Sequence, residues 1–273
     1  MLSFPNAKIN LGLQIKSKRD DGYHEIETCL YPIPLNDILE IVPSNEDKLI
    51  VTGNAIDGKP EENLCYKAIR LLAENYKIPA LHVHLHKLIP HGAGLGGGSS
   101  DAVHTLQSIN KILNLNISEN ELLSLSSYLG SDCPFFVKNR PSIAHGRGEK
   151  IETLELSLKG DYLILVFPKL FISSSIAYSL INPKTPSQKL KTALKESKTE
   201  WKKLLQNDFQ MVLEKKYSQL AGLSQVMYNH NAYYAAMSGS GSSYFGLFNE
   251  DPGDDFKTWF KKDYFVFKSR LNS

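Results

Sequence analysis

Residues 90–100, PHGAGLGGGSS, contain five glycines and end on two serines. Glycines let backbone N–H groups approach phosphate oxygens closely, and a helix beginning here would add the positive end of its dipole. The hydroxyls of Ser99 and Ser100 could also bind a phosphate or its magnesium ion. A glycine-rich helix entry without a ligand is the alternative, although five glycines cost much chain entropy for a turn alone. This segment, called the glycine loop below, predicts phosphate binding.

Three known phosphate-loop patterns can be compared with the glycine loop. The Walker pattern is disfavoured because Gly98 stands where its lysine is required. The dinucleotide pattern G-x-G-x-x-G matches Gly92, Gly94 and Gly97, which leaves a nicotinamide-dependent oxidoreductase open. Its ribose-binding acid should end a strand about 20 residues later, but a helix opens there, at Ser118. The protein-kinase loop lacks its H-R-D and D-F-G companions.

Three histidines share one face of a predicted strand, at His82, His84 and His86. Such spacing could hold a metal, and a solvent-facing strand is the alternative. No carboxylate or cysteine nearby completes a ligand set. We therefore predict no metal-ligating residues in the chain.

Hydrophobic spacing indicates the elements that must position these residues. Alternating or continuous apolar runs predict strands over residues 7–15, 37–42, 81–86, 162–167, 233–236 and 244–248, with 48–52 as the partner of 37–42. Helical spacing predicts a helix over 63–76 and another after the glycine loop, capped by Ser99 or Ser100. A capping box at 118–121 opens a third helix, which Gly130 ends. Because strands and helices interleave without regular βαβ units, we expect an α+β fold.

Composition limits the classes of partner. The 273 residues are 42% hydrophobic with a formal net charge of +2, so neither a nucleic-acid nor a membrane partner is expected. Cys29, Cys65 and Cys133 are far apart, which favours a reduced protein. With no apolar run of about 20 residues and no signal-peptide pattern at the start, we expect a cytoplasmic protein.

Three segments, in order along the chain, resemble the GHMP kinases, which phosphorylate small molecules such as galactose, homoserine and mevalonate. They are PNAKINLGL (5–13), the glycine loop and MSGSGSSYF (237–245). The resemblance implies a two-domain fold (1–155 and 156–273) with nucleotide and substrate sites in the cleft between domains, ATP and Mg²⁺ as cofactors, and a monomer or homodimer. It also implies that ATP contacts the whole loop: Pro90, His91, Gly92, Ala93, Gly94, Leu95, Gly96, Gly97, Gly98, Ser99 and Ser100.

Two further segments indicate which member is most similar. RDDGYHEIET (19–28) and LGSDCPFF (129–136) resemble the members that phosphorylate the tertiary 2-hydroxyl of a CDP-linked branched tetritol, a cytidylyl-linked sugar alcohol of the non-mevalonate isoprenoid route. Ser240 often corresponds to threonine in the family, and Tyr178 can correspond to phenylalanine; both departures keep the hydroxyl or the aromatic face. A sister GHMP kinase and a catalytically silent nucleotide-binding protein remain alternatives.

The resemblance assigns the chemistry to Lys8 and Asp132. The substrate hydroxyl would lie between them, with the carboxylate accepting or orienting its proton and the ammonium stabilising the alkoxide. Without the resemblance, Lys8 could be an exposed edge-strand charge and Asp132 a turn residue.

Binding roles follow in the same way. Tyr23 and Tyr178 would stack on the two faces of cytosine, and His24 would bind its edge. The remaining substrate contacts implied are Asn10 and Ser174. Asn63 and Lys87 would flank adenine and ribose; a helix N-cap and a surface charge are their alternatives.

Overall fold

The computed structural model describes residues 1–54, 59–183 and 189–272. Its strands are β1 Leu2–Ser3, β2 Asn6–Lys18, β3 His24–Asn36, β4 Ile38–Pro43, β5 Lys48–Gly53, β6 Leu81–Lys87, β7 Ser142–Gly146, β8 Lys150–Thr153, β9 Tyr162–Phe167, β10 Tyr234–Met237, β11 Tyr244–Phe248 and β12 Phe265–Arg270. Its α-helices are α1 Leu64–Ala73, α2 Gly97–Ile112, α3 Glu119–Leu129, α4 Cys133–Lys138, α5 Ser174–Ser179, α6 Leu190–Ala193, α7 Trp201–Leu204, α8 Asp208–Lys216 and α9 Leu223–Asn229. The α+β prediction is confirmed.

The chain folds into two compact units. Unit 1 comprises Met1–Lys8, Pro34–His91 and Gly96–Arg140, and unit 2 comprises Ile9–Ile33, Gly92–Leu95 and Pro141–Ser273. The chain therefore passes between the units more than once, and Gly92–Leu95 of the glycine loop belong to unit 2. The domain boundary expected between residues 155 and 156 stays a prediction.

Unit 1 is built on a sheet of order β1-β4-β6-β5. In β6, Leu81, Val83 and Leu85 are buried as their alternation predicts, and β4 pairs with this strand through Ile41 and Leu39. The helix α2 packs on β4 and on α1, α3 and α4. This packing fixes the start of α2, where the glycine loop ends.

One predicted pairing in unit 1 is wrong. Residues 48–52 were expected to pair with residues 37–42, whereas β5 pairs with β6 in parallel and β6 lies between β4 and β5. The helix α1 lies between β5 and β6 in the chain. Such a helical crossover returns the chain parallel to the strand it left, so β6 can occupy the place beside β5.

Unit 2 contains a sheet of order β10-β11-β9-β12. It also contains those parts of a second sheet, of order β2-β3-β7-β8, that lie within Ile9–Ile33 and after Pro141. The strands β9 and β11 cover the predicted ranges, and β10 pairs with β11 in antiparallel orientation. The core packs Ile164 and Val166 of β9 against Phe209 and Leu213 of α8. The core also includes Met237 and Tyr244, which flank the glycine-rich segment between β10 and β11.

The three cysteines are free and buried. Among the described residues, no helix is both long enough and apolar enough to cross a bilayer.

Candidate functional site

A lysine and an aspartate of unit 1 form an ion pair. Lys8 lies on β2 with 2% of its surface exposed, and its Nζ is 3.2 Å from Oδ2 of Asp132. Asp132 immediately precedes α4, and 36% of its side chain is exposed. The alternative of an exposed edge-strand charge is therefore wrong for Lys8. The pair offers a partly open carboxylate next to a buried cation, an arrangement suited to holding a hydroxyl group.

The glycine loop takes a backbone conformation that only glycine adopts easily. Gly92, Gly94 and Gly96 have φ values of 62°, 77° and 71°. A side chain at any of these positions would be strained in the left-handed region. Alternate residues of the loop thus require glycine for their conformation.

The helix after the loop begins earlier than its serines suggested. Gly96 is the N-cap of α2 and provides no side-chain cap, so the prediction of Ser99 or Ser100 as N-cap is wrong. The left-handed Gly96 turns the chain directly into the helix, which places both serines in the first turn. The first N–H groups of a helix have no intrahelical partner, and here no side chain at the cap accepts from them. Such an end attracts anions.

The loop exit adjoins the ion pair within unit 1. A Cβ placed on Gly96 would lie 3.1 Å from both Cγ and Cε of Lys8 and 3.0 Å from Cζ of Phe136. The backbone at the start of α2 therefore lies against the stem of Lys8. A helix end suited to binding phosphate and a Lys–Asp pair are thus neighbours, an arrangement that phosphoryl transfer to a hydroxyl could use.

The second glycine turn, residues 237–245, supports the loop within unit 2. The Ser243 N–H donates to the Ala93 carbonyl at 3.1 Å, and the Ser238 hydroxyl donates to the Gly94 carbonyl at 2.9 Å. A Cβ on Gly94 would lie 2.2 Å from the Ser238 carbonyl oxygen. Ser238 and Ser243 thus fix the loop backbone. This role was not predicted from the sequence, although both serines lie in the segment 237–245 that resembles the GHMP kinases.

An aromatic group lies elsewhere in unit 2. The His24 ring stacks on Tyr178, with ring centres 4.8 Å apart, and Tyr178 also meets the edge-on ring of Phe209 at 4.9 Å. Tyr23 is 53% exposed and has the Arg147 guanidinium 4.8 Å from its ring centre. Burial lowers the pKa of His24, and the charge of Lys18 lowers it further. In this structure the ring stacked on Tyr178 is that of His24. Stacking of cytosine between Tyr23 and Tyr178 therefore stays a prediction.

The other predicted substrate contacts of unit 2 have polar partners. Asn10 is 2% exposed; its Nδ2 donates to Thr28 Oγ1 at 2.9 Å and its Oδ1 accepts from Ser238 at 3.3 Å. The hydroxyls of Ser174 and Ser240 are 3.1 Å apart. Both substrate contacts stay predictions.

The predicted adenine-side residues lie in unit 1. Asn63 is the N-cap of α1, and its Oδ1 accepts from the Cys65 N–H at 2.8 Å, which confirms the capping interpretation. Lys87 is 2% exposed and its ammonium pairs with Asp37 and Asp101, so the interpretation as a surface charge is wrong. Contacts of Asn63 and Lys87 with ATP stay predictions.

The residues around the glycine loop fit a magnesium ion that arrives with nucleotide phosphates. No group of three or more His, Cys, Asp and Glu side chains among the described residues could hold a metal alone. Protein Mg²⁺ sites for nucleotides often use one or two side chains plus phosphate oxygens. The half-buried Ser99 lies in the first turn of α2, where its hydroxyl oxygen could join phosphate oxygens as a ligand.

The histidines on one face of β6 lie beside Thr52 of the neighbouring strand β5. Thr52 Oγ1 is 2.9 Å from both His84 Nε2 and His86 Nδ1.

Comparisons with known proteins agree with this geometry. Family models for the GHMP kinase N-terminal and C-terminal domains match residues 63–140 and 190–264. The chain is 47% identical to 4-diphosphocytidyl-2-C-methyl-D-erythritol kinase of Parabacteroides distasonis over 92% of each chain, and 44% identical to that of Bacteroides thetaiotaomicron over 99% of this chain and 100% of the relative.

Solved structures show the same relationship. A crystal structure of 4-(cytidine 5'-diphospho)-2C-methyl-D-erythritol kinase superposes with a TM-score of 0.82 at 28% identity, covering 98% of both chains. The mevalonate kinase of Methanococcus jannaschii has a TM-score of 0.72 at 16% identity over 100% of this chain and 98% of its own, which is a likeness of fold alone.

Proposed function

Because the chain belongs to the GHMP kinase family of small-molecule kinases, we propose that it transfers the γ-phosphate of ATP to the 2-hydroxyl of 4-diphosphocytidyl-2-C-methyl-D-erythritol. The observation that carries the proposal is the Lys8–Asp132 pair, 3.2 Å apart and adjoining Gly96 at the loop exit. The named relatives, similar over almost the whole chain, support the choice of acceptor.

The reaction assigns separate tasks to the two charged groups. The acceptor's tertiary hydroxyl is crowded and weakly nucleophilic, so positioning and charge stabilisation supply most of the catalysis. Asp132, with its partly exposed carboxylate, accepts the hydroxyl proton as the new P–O bond forms and the bond between the γ-phosphate and the departing ADP breaks. The ammonium of Lys8 stabilises the negative charge that develops on the attacking oxygen.

The glycine loop binds the phosphates of ATP through main-chain N–H groups at the start of α2. Mg²⁺ held by ATP and Ser99 would neutralise charge on the transferred group. Asn63 and Lys87 are the proposed contacts on the adenine and ribose side. The proposed working form is a monomer or homodimer. Its proposed location is the cytoplasm, where cysteines stay reduced, and the three cysteines are free and buried.

The cytidylyl end of the substrate is proposed to bind the aromatic residues of unit 2, with Asn10 and Ser174 contacting the rest of it. Since its pKa is lowered, His24 is neutral near pH 7 and has both a donor and an acceptor nitrogen for the edge of cytosine. Tyr23 and Tyr178 supply the aromatic faces.

Tyr23→Ala should weaken binding of the cytidylyl substrate and leave ATP unaffected. Base stacking contributes about 1–3 kcal/mol, so KM for this substrate should rise roughly ten- to a hundredfold. Steady-state kinetics with each substrate varied in turn measures it. Tyr128→Ala is the matched control, since this tyrosine of α3 is 77% exposed. Equal losses for both substrates would contradict the placement.

An ADP-release assay tests the proposed function directly. The acceptors are 4-diphosphocytidyl-2-C-methyl-D-erythritol, homoserine, galactose and mevalonate. We expect ADP release only with the first. Preference for another acceptor would favour a sister kinase of the family, and binding of ATP without transfer to any acceptor would favour a silent nucleotide-binding protein.

A further inference from the structure

Three charged side chains outside the Lys8–Asp132 pair are buried together in unit 1. Asp37 is 0% exposed, and Lys87 and Asp101 are each 2% exposed. The Lys87 ammonium donates to Oδ2 of Asp37 and, at 2.6 Å, to Oδ2 of Asp101. Burying charges is costly even when they are paired. A cluster of this kind therefore calls for a role that an apolar core could not fill.

The cluster is attached to the entry of the glycine loop. Oδ1 of Asp37 accepts hydrogen bonds from the backbone N–H groups of Leu88 at 2.6 Å and Ile89 at 2.8 Å. These residues directly precede Pro90, and Lys87 ends β6. One carboxylate thus fixes both the ammonium and the backbone that leads into the loop.

The same cluster is attached to the exit of the loop. Asp101 follows Ser100 on α2, so its bond to the ammonium fixes the beginning of the helix. A Cβ on Gly97 would lie 2.9 Å from Cγ2 of Ile89 and 3.3 Å from Nζ of Lys87. The chain entering the loop and the chain leaving it therefore meet at one ammonium group.

The charges of the cluster depend on one another. Burial raises the pKa of Asp101 to about 7, and the nearby ammonium acts against this rise. Burial alone would lower the pKa of Lys87, but Asp101 and Asp37 more than offset it and the pKa is raised. Removing one partner would therefore change the protonation of another and loosen both attachments.

We propose that Asp37, Lys87 and Asp101 are positioning residues that hold the two ends of the glycine loop at the separation that ATP phosphates require. In this scheme Lys87 acts through the loop; this role is separate from the direct ATP contact proposed for it above, and hydrogen exchange in the ligand-free loop tells the two roles apart. The inference rests on the proposed function only in taking the loop as the ATP site. It goes beyond that function by giving Asp37 and Asp101 a role in holding the ATP-binding loop.

Two variants test the proposal, Lys87→Met and Asp101→Asn. Asp101→Asn preserves the side-chain volume and an acceptor oxygen. It provides the test if Lys87→Met does not fold. A small misplacement of a binding group can cost up to about 10²-fold, so we expect KM for ATP to rise about ten- to a hundredfold while KM for the acceptor stays within about twofold. The affinity for a non-hydrolysable ATP analogue, measured by calorimetry without acceptor, should fall by the same factor.

Asp161→Asn is the control, because Asp161 is 7% exposed and binds Lys198 at 2.6 Å and Tyr233 at 2.7 Å in unit 2. It should lower thermal stability and leave both KM values unchanged. Amide hydrogen exchange in residues 92–100 of the ligand-free protein should be faster in Lys87→Met or Asp101→Asn and unchanged in the control.

Unchanged loop exchange, or equal shifts of both KM values, would overturn the proposal. If the wild type binds the ATP analogue but does not phosphorylate the cytidylyl substrate, the proposed function fails. Analogue affinity and loop exchange still decide the positioning role in that case.

Discussion

Asp132→Asn should lower kcat by about 10²–10⁴, the usual contribution of a general base. The substitution keeps the size of the side chain, whose Oδ2 lies 3.2 Å from the Lys8 ammonium, but removes the group that accepts the proton. Both KM values should stay within about threefold, since the interaction lost belongs to the transition state. Steady-state kinetics with ATP and the cytidylyl acceptor measures the effect.

Lys8→Met should show a similar loss, and the double variant little more than either single one, because residues that act as a unit have non-additive effects. Asp251→Asn is the control. Asp251 also forms a Lys–Asp pair, at 3.0 Å from Lys268, and is more exposed. It should leave kcat unchanged. If Asp132→Asn keeps more than about a tenth of the wild-type kcat, the loss is well below the contribution of a general base. Asp132 would then only shape the turn before α4.

Gly96→Val should abolish measurable ATP binding in a folded protein. Gly96 has a φ of 71°, which a β-branched residue adopts only with strain. Its side chain would also begin 3.0–3.1 Å from Phe136 and Lys8, so the helix end and the lysine would both have to move. Calorimetric titration with ATP measures the binding, and circular dichroism measures separately whether the protein is folded.

Gly222→Val is the matched control for strain. Gly222 is likewise a left-handed N-cap, with a φ of 82°, but a Cβ there would meet nothing within 4 Å. This variant should lose some stability and keep its ATP affinity. Normal ATP affinity in folded Gly96→Val would remove the loop from the nucleotide site.

Elements with a strong local pattern could be predicted from the sequence. Residues 81–86 alternate histidine with aliphatic residues, and β6 buries Leu81, Val83 and Leu85 accordingly. The apolar runs at 162–167 and 244–248 became β9 and β11 with the predicted bounds. A strand buried on both faces reads as a continuous apolar run, which is why these bounds were clear.

Long-range pairing could not be predicted in this way. Alternation shows which face of a strand is buried but not which strand lies beside it, so the parallel pairing of β5 with β6 was missed. The start of α2 was missed for a related reason. Serines usually cap helices, but the left-handed Gly96 made a hydroxyl cap unnecessary.

Part of the candidate site could be proposed from the sequence because its residues lie in recognisable segments. Lys8, Asp132 and the glycine loop belong to them, and the structure brings Lys8, Asp132 and Gly96 together. Asp37 has no such signal, since a single aspartate before a strand resembles any turn residue. Only the fold places its carboxylate on the ammonium of Lys87.

The position of the transferred phosphate tests the central claim most directly. The wild-type protein would be incubated with ATP, Mg²⁺ and 4-diphosphocytidyl-2-C-methyl-D-erythritol, and the product examined by phosphorus and carbon NMR. The proposed reaction predicts one new phosphate monoester, coupled to the tertiary carbon that bears the 2-hydroxyl, formed in step with ADP. A phosphate on any other hydroxyl, or ADP formed without a phosphorylated acceptor, would contradict it.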